Sequence, residues 1–249
     1  MKPLGTMWKN TRMIILVAVC AAIYAAALIA FKTAIPLIPG ITEVRVANIF
    51  PMVFSLLFGP AAAWGSAIGN LIGDIFGGTL GPGSVFGFIG NFLLGYLPYA
   101  MWTTLKPIAD GKRELALQNW RSWVLYILLA LISSAACAVV IATGLEALGM
   151  VPYPILSSII TINDTVGSLI GGLLLLAVYG VVRRQLRLIW WDVMDPEDIG
   201  RPRAGTLGAW LVVVGALGGW ILGAYLLSGQ ALVIGIIASI VILVGCFLL

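Results

Sequence analysis

The stretch MIILVAVCAAIYAAALIAF, residues 13–31, holds 19 consecutive residues without a charged side chain. As a helix it rises about 1.5 Å per residue and approaches the roughly 30 Å thickness of bilayer hydrocarbon. The whole chain has this character, since 61% of its 249 residues are hydrophobic and only 10% are charged. Because about a quarter of the residues in a soluble domain are charged, this composition predicts an integral membrane protein.

Seven further apolar stretches predict an all-α, polytopic membrane helix bundle that crosses the bilayer six to eight times. They cover residues 47–58, 61–78, 84–105, 120–143, 155–182, 207–227 and 231–249. The first of these is short, because its 12 residues rise only about 18 Å as a helix. We expect it to be partly re-entrant or to begin further back in the preceding loop.

The clearest break in this pattern is a polar segment, residues 187–204, which carries four acids and two prolines. It divides the chain into a six-span ligand-binding membrane core (1–186), a cytoplasmic linker (187–204) and a two-helix membrane appendage (205–249). The apolar stretches of the appendage contain no charged residue. We expect these two helices to serve in packing or in contact with a partner.

Basic residues predict the orientation of the bundle. With both termini in the cytoplasm, 12 of the 14 Lys and Arg residues lie on the cytoplasmic side, and only Lys32 and Arg45 face outward. Cytoplasmic loops of membrane proteins are enriched in these residues, so the bias predicts a multi-pass cell-membrane protein with both termini inside. The net charge of +4 then reflects topology and indicates no nucleic-acid partner.

The sequence shows no pattern typical of catalysis or metal binding. It contains no histidine, and its three cysteines, Cys20, Cys137 and Cys246, lie in apolar stretches without paired spacing. It also lacks a P-loop, a Ser/His/Asp or HExxH pattern and paired catalytic carboxylates. We therefore predict a protein that is not an enzyme and has neither cofactor nor metal. Uphill transport would have to draw on an ion gradient or on partner proteins.

Polar side chains concentrate in the outer halves of the predicted spans. An acid near the bilayer centre costs at least about 2.5–3.5 kcal/mol on insertion scales, so it is seldom there by accident. Amides and carboxylates offer donors and acceptors that suit a polar heterocycle or a sugar-like ligand. The predicted ligand-binding residues are Glu43, Arg45, Asn48, Asn70, Asp74, Asn91, Asn163 and Asp164.

Simpler roles remain open for these residues. Glu43 and Arg45 would also fit an exposed pair in a wet loop, where such pairs contribute little. Asp74 would also fit a hydrated position, because the end of its span is rich in glycine. The amides would also fit hydrogen bonds between helices, and Asp164 is hardest to explain in this way because it is the deepest.

Alanines recur every fourth residue along the first span. Ala18, Ala22 and Ala26 form one row, and Ala21 and Ala25 form a neighbouring one. Small side chains at this spacing leave a smooth helical face on which another membrane helix can pack closely. The face predicts either docking of a partner protein or an internal contact between helices.

Several segments resemble the substrate-binding S components of energy-coupling factor (ECF) transporters, particularly the branch similar to queuosine-precursor transporters. They are the alanine face at 18–26, EVRVANIFP at 43–51, FGPAAA at 58–63, Gly65, Gly69-Asn70 and Gly73-Asp74. The resemblance covers residues 13–184 and implies a six-helix protein that binds a vitamin or related micronutrient at its outer side. It also implies partners, namely a transmembrane coupling subunit and two cytoplasmic ATPases that supply the energy.

The resemblance also implies roles for particular segments. The alanine face of the first helix would contact the coupling subunit, through Ala18, Ala22 and Ala26 or through the neighbouring register. The loops at 32–48 and 74–84 would close over the ligand. The two C-terminal helices depart from the six of the family, so the resemblance assigns them no role.

Two other functions fit the same sequence. An ion-coupled secondary transporter would use Asp74 and Asp164 as proton or cation sites, although no inverted repeat supports it. A membrane scaffold protein would use the polar side chains only to join helices. Of the three, we expect a binding subunit for uptake of a vitamin-like small molecule across the lipid bilayer.

Overall fold

The chain forms a bundle of helices whose bounds follow the apolar stretches of the sequence. The structure, a computed structural model, describes residues 1–31, 36–38, 42–43 and 45–249, and for 36–38 and 42–43 it describes the backbone alone. The principal helices of this described part are α1 (Thr11–Phe31), α2 (Ile49–Phe58), α3 (Pro60–Phe76), α4 (Gly83–Met101), α5 (Trp120–Ala147), α6 (Tyr153–Gly180), α7 (Gly205–Leu226) and α8 (Ala231–Leu248).

Shorter elements connect these helices. Single helical turns or short helices occupy Lys2–Thr6, Met7–Lys9, Val46–Asn48, Val181–Leu186, Trp190–Val193, Pro196–Ile199 and Ser228–Gln230. The loop after α1 contains a small antiparallel hairpin in which strand β1 (Pro36–Ile38) pairs with strand β2 (Thr42–Glu43). Apart from this hairpin, the regular structure of the described residues is helical, which confirms the predicted helical class.

Six helices in the described ranges are long and apolar enough to span a membrane: α1, α4, α5, α6, α7 and α8. Two of these belong to the predicted appendage, and the predicted core keeps four. The remaining core helices are shorter, with 17 residues in α3 and 10 in α2. Since α2 is about 15 Å long, it cannot cross the hydrocarbon, as its sequence predicts.

The turn between α2 and α3 depends on glycine. Gly59 has a φ of 53°, a conformation that side chains with a Cβ rarely adopt, and Pro60 fits the first turn of the next helix. A Cβ on Gly59 would lie 2.5 Å from the Trp190 ring. The turn is therefore both tight and covered by an indole.

A ridge of glycines holds α1 against α3. A Cβ on Gly65 would lie 2.4 Å from Cys20 Cβ, and one on Gly69 would lie 2.9 Å from the Ala21 carbonyl oxygen. Gly73 continues the ridge against Leu28. Because lipid provides little hydrophobic drive for helices to associate, such close contact is a main source of packing energy.

Both termini lie at one end of the bundle, here called the termini end, and the opposite end is the loop end. The N-terminal residues bond to the predicted linker, since Lys2 Nζ donates to the Glu197 carbonyl oxygen at 2.6 Å and Thr6 Oγ1 to that of Asp198 at 2.8 Å. At the same end, Arg183 after α6 forms a 2.6 Å ion pair with Glu114. The segment 187–204 is thus folded onto the N terminus.

The C-terminal pair α7 and α8 packs on α5 and α6. Tyr153 Oη donates to the Gly219 carbonyl oxygen at 2.9 Å, and a Cβ on Gly235 would lie 2.3 Å from Thr143 Oγ1. Near the termini end, Tyr96 Oη in α4 donates to the Cys246 carbonyl oxygen at 3.2 Å. The pair therefore packs along the α5 and α6 side of the bundle. One face of α1 stays exposed.

The Gly65 contact generates the first prediction. Gly65→Ala should lower the free energy of unfolding by about 1–3 kcal/mol, because the added methyl overlaps Cys20 Cβ in a closely packed interface. Gly180→Ala is the matched control, since a Cβ there meets nothing within 4 Å. Unfolding of the purified proteins in detergent measures both, and equal stability of the two variants would refute the close packing of α1 on α3.

Candidate functional site

A buried cluster of polar side chains joins four helical segments near the loop end. Asn48, just before α2, donates through Nδ2 to Asp164 Oδ1 in α6. The Tyr24 hydroxyl oxygen in α1 lies 2.7 Å from Asn48 Oδ1 and 2.7 Å from Asn91 Oδ1 in α4. Asp164 is 1% exposed, and Tyr24, Asn48 and Asn91 are fully buried.

The cluster lies well inside the bundle. From the helical rise, Tyr24, Asn91 and Asp164 stand about 10, 12 and 16 Å from the loop-end terminus of their own helices. Polar groups at this depth cannot rely on bulk water, so they must bond to one another or to a ligand.

The hydrogen bonds of the cluster constrain its protons. Asn91 Nδ2 donates to the Gly87 carbonyl oxygen at 2.9 Å, which directs Asn91 Oδ1 toward Tyr24. With Asn48 Nδ2 on Asp164, two amide oxygens face one hydroxyl, and a hydroxyl carries only one proton. Tyr24 therefore donates to one amide, and at the other contact the amide must be turned so that its Nδ2 donates to the hydroxyl oxygen.

A second group of polar side chains lies closer to the loop end. Arg45 donates through its backbone N–H to Asn163 Oδ1 at 3.2 Å and through Nη1 to Asn70 Oδ1 at 3.5 Å. Asn70 Nδ2 is 3.4 Å from Asp74 Oδ2, and the Thr79 hydroxyl donates to Asp74 Oδ1 at 3.2 Å. This group thus connects the start of α2, the end of α3 and α6.

Gly87 in α4 joins the two groups. Its carbonyl oxygen accepts from Asn91, and a Cβ on its other side would lie 3.0 Å from Asn70 Nδ2 and 3.9 Å from Asp74 Oδ2. A side chain at this position would press on the Asn70 amide. The polar side chains therefore form one connected set from Asp164 to Thr79.

Two glycines of α6 bring Asn48 to Asp164. A Cβ on Gly167 would lie 3.0 Å from the Asn48 carbonyl carbon, and one on Gly171 would lie 2.6 Å from the Ile49 carbonyl oxygen. The turn Val46–Asn48 before α2 is closed by the Asn48 N–H, which donates to the Arg45 carbonyl oxygen at 3.0 Å. Backbone contact with α6 thus sets the position of the amide.

Seven of the eight predicted ligand-binding residues meet in this set: Arg45, Asn48, Asn70, Asp74, Asn91, Asn163 and Asp164. The side chain of the eighth, Glu43, lies outside the described residues, as does much of the predicted lid at 32–48. The other predicted lid, 74–84, is described and carries Thr79 on Asp74. Whether these residues bind a ligand stays a prediction.

The sequence interpretation missed two members of the site. Tyr24 is the only hydroxyl-bearing residue within 13–31, and that isolation was a usable signal. The sequence predicts Cys137 in α5 to be a small hydrophobe, yet its buried thiol lies close enough to Asp164 and Arg45 to interact with both charges. α5 therefore also borders the site, in addition to α1, the start of α2, α4 and α6.

Buried hydroxyls flank the deepest part of the site. Thr161 and Ser168 lie one turn to either side of Asp164, so they share its helical face, and Ser134 lies one turn before Cys137. These three hydroxyls are buried and have no hydrogen-bond partner among the described residues. Buried hydroxyl groups without a hydrogen-bond partner are uncommon in a folded interior. They mark a place where a polar ligand would be stabilised.

The two alanine registers of α1 have different surroundings. Ala21 and Ala25 are buried at 4% exposure against α3. Ala18, Ala22 and Ala26, on the neighbouring row of the helix, are exposed. Of the two, the register of Ala18, Ala22 and Ala26 is therefore the one that is free to meet another protein or lipid.

These features define a polytopic membrane protein with a connected polar site enclosed among its helices. The chain belongs to the QueT transporter family, whose sequence model matches residues 14–180, from within α1 to the end of α6. The match confirms the resemblance drawn from the sequence and identifies a membrane transporter. No curated protein and no solved structure matches the chain.

The central hydroxyl generates the second prediction. Tyr24→Phe should lower the free energy of unfolding by about 1–3 kcal/mol, because it leaves buried amide groups without their partner. Tyr225→Phe is the control, since that residue lies 59% exposed on α7. Thermal unfolding of both variants measures the difference, and an unchanged Tyr24→Phe protein would argue against a hydrogen-bonded cluster.

Proposed function

We propose that this protein is the substrate-binding subunit of an ECF-type transporter and takes up a queuosine precursor. The observation that carries the proposal is the connected polar set from Asp164 to Thr79, enclosed by the segment that matches the transporter family. A transporter must hold a polar solute within an apolar bundle, and only this part of the described chain offers charged groups and amides together at that depth.

The orientation supports access from outside. The termini end carries Lys2, Lys9, Arg12 and the basic residues around α4–α5 and after α6, which the positive-inside rule assigns to the cytoplasm. The loop end then faces outward, and the polar set lies toward that side of the bundle, from which a nutrient arrives. This arrangement supports uptake rather than export.

The side chains of the set suit a flat, polar heterocycle. Arg45 presents a planar fork of N–H donors for a carbonyl or acidic group. Asp74 and Asp164 accept hydrogen bonds from ring or amine N–H groups, and the amides of Asn48 and Asn91 offer both kinds of partner. A ligand would replace part of the bonding that these groups now make to one another.

Binding can be tested at the deepest acid. Asp164→Asn should weaken binding of a queuosine precursor base at least tenfold, because one strong acceptor for an N–H donor becomes neutral. Asp192→Asn, which makes the same change at an exposed position at the termini end, should bind like the parent. Calorimetry on the purified protein measures both affinities, with riboflavin and thiamin as competing ligands.

Equal affinity of the two variants would remove Asp164 from the ligand site. Tighter binding of riboflavin or thiamin would support the proposal of a binding subunit but contradict the proposed substrate. A melting temperature measured for each variant separates lost binding from lost folding.

The exposed alanine register is the proposed docking face for the transmembrane coupling subunit. Its methyl groups allow close approach of a partner helix, whereas isoleucines beside it, such as Ile15 and Ile23, suit lipid. The appended helices α7 and α8 pack on α5 and α6 and leave this face open. A partner that binds α1 would therefore not need to displace them.

Docking can be tested by placing a larger side chain on that face. Ala22→Leu should abolish uptake in cells that also express a coupling subunit and its two ATPases, while leaving ligand binding by the purified protein unchanged. Ala177→Leu, at an exposed position of α6, should transport normally. Transport by Ala22→Leu at the parental rate would exclude this face as the docking site.

The same cells distinguish the competing mechanisms. A binding subunit energised by ATPases loses uptake when the ATPases are inactivated and keeps it when the proton gradient is dissipated. An ion-coupled carrier that uses Asp74 and Asp164 gives the reverse result. A scaffold gives no uptake in either case.

A further inference from the structure

A second polar site lies at the termini end, far from the set described above. It is a cleft with a volume of about 730 Å³, part of it open to solvent, bounded by the end of α4, the loop before α5, the segment 187–204 and the N-terminal residues. Leu249, which directly follows α8, also borders it. The cleft therefore lies where the core, the linker and the appendage meet.

The charged side chains that line this cleft are all basic. Lys2, Arg113 and Arg201 border it, and no acidic side chain is among its lining residues. The Arg113 guanidinium lies 5.4 Å from the centre of the Trp190 ring, which holds it at the wall. Met1 and Leu249, which also border the cleft, carry terminal charges of opposite sign, so three cationic side chains without an acidic one leave a net positive lining that attracts an anion.

Two buried polar groups of the cleft wall lack partners. The Tyr99 hydroxyl and the Trp190 indole N–H have no hydrogen bond in the described part of the chain. Tyr99 is 8% exposed and Trp190 7%, so each is more than nine-tenths buried. Both are donors, and a buried donor without a partner destabilises the fold unless a ligand or water accepts its hydrogen bond.

The position of the cleft indicates where its ligand comes from. Trp102 and Trp191 also line it, and tryptophan concentrates at the level of lipid headgroups. If the termini end faces the cytoplasm, the cleft opens among the headgroups of the inner leaflet. Basic pockets in this position of membrane proteins take up anionic headgroups.

We propose that the cleft binds a phosphate-bearing anion, supplied by the headgroup of an anionic phospholipid. The phosphate would pair with Arg113 and Arg201, and Tyr99 and Trp190 would donate hydrogen bonds to its oxygens. The acyl chains would extend along the lipid-facing surface beside α8. The bound lipid would hold the linker and the appendage to the core.

The test compares lipids and variants of the full-length protein. Native mass spectrometry from micelles doped with phosphatidylglycerol or phosphatidylcholine should show about tenfold preferred retention of phosphatidylglycerol. Arg113→Gln should reduce this preference about tenfold, since a charge-assisted contact is lost. Arg184→Gln, an equal change of charge at an exposed position outside the cleft, should leave it unchanged.

The variant Tyr99→Phe distinguishes a loss of lipid binding from a loss of folding. If the hydroxyl serves the anion, Tyr99→Phe lowers retention of phosphatidylglycerol while the lipid-free protein melts at the parental temperature or above. Retention equal to that of the parent, or Arg113→Gln equal to Arg184→Gln, would overturn the proposal, as would equal retention of the two lipids by the parent.

Soluble anions identify the source of the phosphate. Inorganic phosphate and glycerol 1-phosphate are added in neutral detergent, and melting temperature is measured for the parent and Arg113→Gln. Stabilisation by phosphatidylglycerol alone supports the lipid headgroup. Stabilisation of the parent by the soluble anions as well supports the phosphate site but overturns the lipid as its required source.

Discussion

The hydrogen bond from Asn48 to Asp164 is the contact on which the loop end of the bundle depends. A carboxylate in an apolar bundle is tolerated only where donors replace water. Asn48 is such a donor, and it reaches Asp164 because α2 starts inside the bundle. A second span of full length would carry that amide to the surface. The shortness of α2 is therefore a condition for the polar site.

Close packing and polar bonding depend on the same glycines. Gly167 and Gly171 bring the start of α2 against α6, and Gly87 leaves room for Asn70 beside Asn91. In lipid, helices gain little from burying apolar surface, so backbone contact and hydrogen bonds must hold the bundle together. Both are supplied at one place here. The region that encloses polar groups is thus also one of the most tightly packed.

Much of this arrangement could be predicted from the sequence. Apolar runs located the helices to within a few residues, and the cost of polar groups in lipid singled out seven side chains that meet in one set. Tyr24 and Cys137 were missed, because each stands alone in an apolar run and gains meaning only from its neighbours on other helices. The linker's contact with the N terminus was missed for a similar reason, since Lys2 and Glu197 are 195 residues apart.

The helix α2 links the two polar sites of the molecule. It begins one residue after Asn48, in the polar set near the loop end, and ends before Gly59, whose turn lies under Trp190 of the cleft. Its residues from Pro51 to Phe58 are all buried, so it cannot tilt without moving neighbours. A ligand that draws Asn48 away from Asp164 must therefore either strain α2 or shift its other end against Trp190. Because close-packed interiors resist gradual deformation, occupancy at the loop end would be felt at the termini end.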